Sequence, residues 1–84
     1  MQTFEEYEKT VPSYVPKGDI HWLMGRVHVG TPDAEIEQEI RRRLEAMIRA
    51  GKANEGMVAE CVKYAIACHR ENQGLYNAVV TGRF

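Results

Sequence analysis

The chain has 84 residues, 44% of them apolar and 27% charged, with a net charge of −1. That balance excludes an intrinsically disordered chain, and a near-neutral charge does not point to nucleic acid as a partner. The longest uninterrupted apolar stretch, Tyr64 to Cys68, is far below the roughly 18 residues needed to span a bilayer, so no membrane association is expected. The N-terminus, Met1-Gln2-Thr3-Phe4-Glu5-Glu6, lacks the apolar region of a secretory signal, and a cytosolic location is expected. The length suits one domain, 1–84.

Thr3-Phe4-Glu5-Glu6 fits a capping box, a hydroxyl at the N-cap with a glutamate three residues on. A short helix over about 4–9 is expected to follow. Pro12 and Pro16 forbid its continuation, so 10–18 reads as an extended connector, with Tyr14 and Val15 as an arm across the core.

From Asp19 to Val29 two templates compete. Ile20, Leu23, Met24 and Val27 fall at i, i+3, i+4 and i+7, the spacing of one helix face. Asp19 suits the N-cap and Gly30 the position beyond the C-cap. A strand from Trp22 to Val29 is the alternative, but Gly25 interrupts its apolar face. A helix over about 20–28 is the preferred reading.

Thr31-Pro32-Asp33 is a helix start: Thr31 at the N-cap, Pro32 at the first helical position, Asp33 and Glu35 complementing the dipole. The helix over about 32–50 is expected to bury Ile36, Ile40, Leu44, Met47 and Ile48. Glu37–Arg41, Glu39–Arg43 and Glu45–Arg49 are i, i+4 pairs with the acid first, each contributing about 0.3–0.5 kcal/mol. Gly51 stops this helix.

Asn54 caps the last predicted helix, about 55–81. Its stripe is Val58, Cys61, Val62, Ala65, His69, Asn72, Tyr76 and Val79, close to a heptad pattern. Ile66 and Leu75 widen the face, and Gly82 ends it. Gly74 is a weak point, costing about 1 kcal/mol against alanine. Unbroken, this helix would be roughly 40 Å long, against a radius of gyration of about 12 Å for a globule of this size. Either it breaks at Gly74 or its end packs on a second molecule.

Few residue groups suggest chemistry. Cys61 and Cys68 are about two helical turns apart, too far for a disulfide with each other, and read as buried thiols. His69 with Cys61, Cys68 and Asn72 lacks the i, i+3 or i, i+4 spacing of a zinc chelate. The adjacent Cys68 and His69 also diverge too far for a nucleophile–base pair. His69 and Asn72 read instead as polar seam residues, which often select register or partner. His21 and His28 have no third ligand. Gly25 and Gly30 are isolated, with no Lys-Ser/Thr for a phosphate loop. The two last helices could suggest a helix-turn-helix, but the second begins Glu55-Gly56-Met57-Val58, which would repel phosphate.

The expected fold is therefore all-α: a small bundle of three main helices preceded by a short one, self-associating as a homodimer. The expected function is a non-enzymatic protein–protein interaction module, an adaptor or small inhibitor without a cofactor. Its candidate contact residues are His69, Asn72, Gln73, Tyr76, Trp22 and Phe84, the aromatics as anchors. The alternative is a nucleic-acid-binding regulator, its contacts made by Arg41, Arg42, Arg43, Arg49 and Lys52.

Overall fold

The structure, a computed structural model, describes residues 2–74. Four helices run in the order α1 (Phe4–Thr10), α2 (Lys17–Met24), α3 (Asp33–Arg49) and α4 (Glu55–Asn72), with no strand among the described residues. The fold is an all-helical bundle, and the strand alternative for Trp22 to Val29 is not adopted. Helix α4 is central: α2 and α3 pack along it, and α1 touches it more lightly.

Local chemistry accounts for most helix ends. Thr3 Oγ1 accepts from the Glu6 amide at 3.2 Å, and the Glu6 carboxylate accepts from the Thr3 amide, closing the capping box of α1. Val11 is extended, as a residue before proline prefers, and α1 ends there. The connector is shorter than expected and is not fully extended, because the Val15 amide turns back to donate to the Pro12 carbonyl at 3.1 Å. It buries Val11 and Val15, while Tyr14 remains 45% exposed.

Helix α2 lies about three residues upstream of the expected 20–28. Pro16, not Asp19, is its N-cap residue, and the Pro16 carbonyl accepts from the Ile20 amide at 3.0 Å. With that acceptor in place the helix begins at Lys17, and Asp19 falls in its first turn. At the other end Gly25 is the C-cap, and the chain leaves the helix before Val27. Helix α3 starts at Asp33 with Pro32 as N-cap, one residue later than read from Thr31.

Helices α3 and α4 end on similar glycines. Gly51 has φ +72°, and the Lys52 amide donates to the Met47 carbonyl at 2.8 Å while the Gly51 amide donates to Ile48 at 3.1 Å, the paired bonds of a Schellman motif. Gly74 has φ +73° directly after the Gln73 C-cap of α4. The expected helix over 55–81 is thereby corrected: it stops at Asn72, because a left-handed glycine cannot continue the helical ladder. Leu75, Tyr76, Val79, Gly82 and Phe84 lie outside the described residues.

Burial departs from the expected stripes in two places. On α3, Ile36 and Ile40 are buried and Leu44 is partly covered, but Met47 and Ile48 are 43% and 41% exposed. On α4, burial extends beyond the stripe to Tyr64, Ala67 and Cys68. Tyr64 lies between α1 and the core, its ring centroid 6.1 Å from Phe4 and 6.4 Å from Tyr7. Its hydroxyl donates to the Glu8 carboxylate. The Asn54 cap is as expected, with Oδ1 accepting from the Met57 amide at 2.9 Å.

Because Tyr64 joins α1 to α4, its truncation has a graded expected cost. Tyr64→Phe removes one hydrogen bond to a charged acceptor and lowers stability by about 1–2 kcal/mol. Tyr64→Ala also opens a cavity and lowers it by about 3–5 kcal/mol. Urea unfolding at unchanged m-value measures both; equal losses for the two variants would show that the Glu8 bond carries the whole effect.

Candidate protein-interaction groove

Helices α2 and α3 both lie on α4 but barely touch each other. The space between them is a groove of about 340 Å³, with Ile20, Ile40 and Cys61 among its lining residues. Helix α2 contributes Asp19, Trp22 and Leu23, and α3 contributes Arg43 and Leu44. Past Pro16 and Asp19 it continues into a second hollow of about 260 Å³ that includes Tyr14, Met47 and Met57.

Trp22 is 63% exposed beside the groove, and the Arg26 guanidinium lies 4.9 Å from its ring centroid. An arginine over an indole face is a favourable cation–π arrangement that also limits ring motion. Asp19 is exposed and makes no ion pair among the described residues. Arg43 donates through Nε to Glu39 at 2.8 Å, and its terminal nitrogens make no hydrogen bond among the described residues.

Of the described residues expected to form the contact surface, His69, Asn72 and Gln73 lie at the end of α4, and Trp22 lies on α2. His69 is 3% exposed, and its Nε2 donates to the His28 carbonyl at 3.1 Å. Gln73 donates to the Val29 carbonyl, and its amide nitrogen lies 3.3 Å from His69 Nδ1. These two side chains fasten the end of α4 to the loop between α2 and α3. Arg70 adds an ion pair to Asp33 at 2.7 Å. Asn72 is exposed beside them, Tyr76 and Phe84 lie outside the described residues, and of the four candidates among the described residues Trp22 alone borders the groove.

The arginines of the alternative reading are engaged within the chain. Arg41 bridges Glu37 at 2.9 Å and Glu55 at 2.6 Å. Arg42 and Arg43 share Glu39, and Arg49 pairs with Glu45. The hydrogen bond from Arg41 holds the Glu55 carboxyl below its usual range, and those from Arg42 and Arg43 do the same for Glu39. Lys52 is exposed and makes no ion pair among the described residues. Compared with protein-family models, with curated proteins and with solved structures, the chain matches none.

Both cysteines are free and buried. Burial raises the pKa of Cys61, and it pushes Cys68 up to about 11 despite a hydrogen bond with Tyr64 that acts the other way. That direction opposes the low pKa a nucleophilic thiol requires. His28 Nδ1 accepts from the Gly30 amide at 3.2 Å, and no cluster of three potential metal ligands occurs among the described residues.

Sequence reasoning missed the groove because Leu44, Met47 and Tyr14 are apolar residues at positions suited to a core. The available signal was Trp22 between His21 and Leu23, an aromatic on the side of α2 away from Ile20 and Met24.

The thiol shift gives a pH dependence. An unfolded cysteine ionises near about pH 8.5. With the folded pKa raised, the folded chain retains the proton that the unfolded chain loses, so this contribution is full below about pH 8.5 and falls as pH rises towards about 11. Urea midpoints under reducing conditions are expected to decline from about pH 8.5 to 10, and Cys68→Ala to flatten the decline. Equal slopes for the two proteins would assign the loss to other groups.

Proposed function

We propose that the chain is a non-enzymatic protein–protein interaction module, an adaptor or small inhibitor, that presents the α2–α3 groove and the Trp22 side chain to a protein partner. The observation that carries this reading is a 63%-exposed tryptophan beside an apolar groove between two helices. Tryptophan dominates binding energetics where it is desolvated by a partner, and a groove between helices suits the apolar face of a third helix.

The positions of the reactive groups support the non-enzymatic reading. His69 is occupied by the His28 carbonyl, and the thiols are buried with raised pKa. Two free thiols also suit a reducing compartment, which supports a cytosolic setting. The internal pairing of Arg41, Arg42, Arg43 and Arg49 gives the nucleic-acid alternative no support.

A photo-crosslinking amino acid at position 22, introduced in living cells, tests the reading. Discrete protein adducts are expected from position 22 and not from position 45 on the exposed side of α3. Equal or absent crosslinking at the two positions would overturn it. Trp22→Ala is expected to change stability by less than about 0.5 kcal/mol, because the side chain is mostly in solvent. A larger loss in urea unfolding would mean that Trp22 serves the fold.

A further inference from the structure

We infer that the groove face is covered by a second copy of this chain, related by a twofold axis that runs along the groove. The inference rests on the reading of this face as an interaction surface and names its occupant. A twofold contact uses the same patch on both molecules, so projection and recess must lie on one face. They do here: Trp22 projects beside the recess that it helps to line.

Charge selects the axis. When two such faces meet about an axis parallel to the groove, the α2 side of each copy lies over the α3 side of the other, at the same level. Asp19 from α2 and Arg43 from α3 both line the groove. Each Asp19 therefore meets Arg43 of the second copy, and this happens twice. Among the described residues Asp19 has no ion pair, and Arg43 pairs with Glu39 through Nε alone, which leaves its terminal nitrogens able to donate to a second carboxylate. Trp22 comes over Arg43 and Leu44 of the second copy by the same rotation. An axis across the groove would instead set α2 on α2 and bring the two Asp19 carboxylates towards each other, which is unfavourable. Tyr14 and Met47, 45% and 43% exposed at the adjoining hollow, extend the covered area.

Sedimentation velocity on the full chain, over about 1 µM to 1 mM, tests the inference, with the fluorescence of the single tryptophan as a site-specific readout. Mass is expected to rise from one chain to two, and Trp22 emission to shift to the blue with the same midpoint. Asp19→Arg and Arg43→Glu are each expected to raise the dissociation constant by about tenfold or more, and the double variant to restore it to within about threefold. A monomer throughout the range would overturn the inference. So would a dimer whose formation leaves Trp22 emission unchanged, or one that the double variant fails to restore. Blue emission that is independent of concentration and is lost on removing residues 75–84 would assign the groove to that segment. A monomer whose crosslinker at position 22 still captures a different protein would remove self-association and leave the interaction module standing.

Discussion

The structure depends on covering one helix from three directions. Helix α4 buries Val58, Cys61, Val62, Tyr64, Ala65, Ala67, Cys68 and His69, more of its circumference than a surface helix buries. Its small residues, two alanines and two cysteines among the eight, let neighbouring helices approach closely. No one of the other helices can cover it alone. Helix α1 reaches it through Phe4 and Tyr7 on Tyr64, α2 through Ile20 and Met24, and α3 through Ile36 and Ile40.

That division of labour produces the groove. At a rise of about 1.5 Å per residue, α2 spans about 12 Å and α3 about 25 Å. Both are committed to α4, so neither closes the gap between them. Beyond Ile40, α3 shares the second hollow with Tyr14 and Pro16 of the connector, and Met47 and Ile48 remain partly in solvent. The exposed apolar residues are thus a consequence of helix lengths and packing commitments. An apolar face left open in this way invites association, since burial of apolar surface is the general driving force for it.

Much of this was legible where a local signal acts alone. The Thr3–Glu6 capping box, the Asn54 cap, the Gly51 stop and the i, i+4 pairs of α3 are short-range effects, and they appear as read. Gly74 was visible as a weak point, and its left-handed backbone ends α4. What could not be read depended on tertiary context. Asp19 is the better capping residue, yet Pro16 supplies the first carbonyl. Tyr64 and Cys68 lie outside the main apolar stripe, yet α1 and α2 approach α4 from that side. Met47 continues the α3 stripe, yet no helix among the described residues covers it fully. Periodicity states which residues could share a face, and only packing decides whether the face is met.

The same separation bears on how surface and fold can vary. The tying interactions, Tyr64 to Glu8, His69 to His28 and Arg70 to Asp33, join α4 to α1, to the loop between α2 and α3, and to α3. The residues assigned to recognition, Trp22, Asp19 and Arg43, belong to α2 and α3 and make none of these ties. Changes at Trp22, Asp19 or Arg43 would therefore alter the proposed contact at little expense in stability, whereas changes at the ties act on folding first. In a chain of this size the margin is narrow, about 0.05–0.15 kcal/mol per residue. A bound partner adds to that margin by mass action, in proportion to the logarithm of its concentration over the dissociation constant. Association through the groove would therefore stabilise α2, the shortest helix set against α4 on that side, without any change in the contacts that define the bundle.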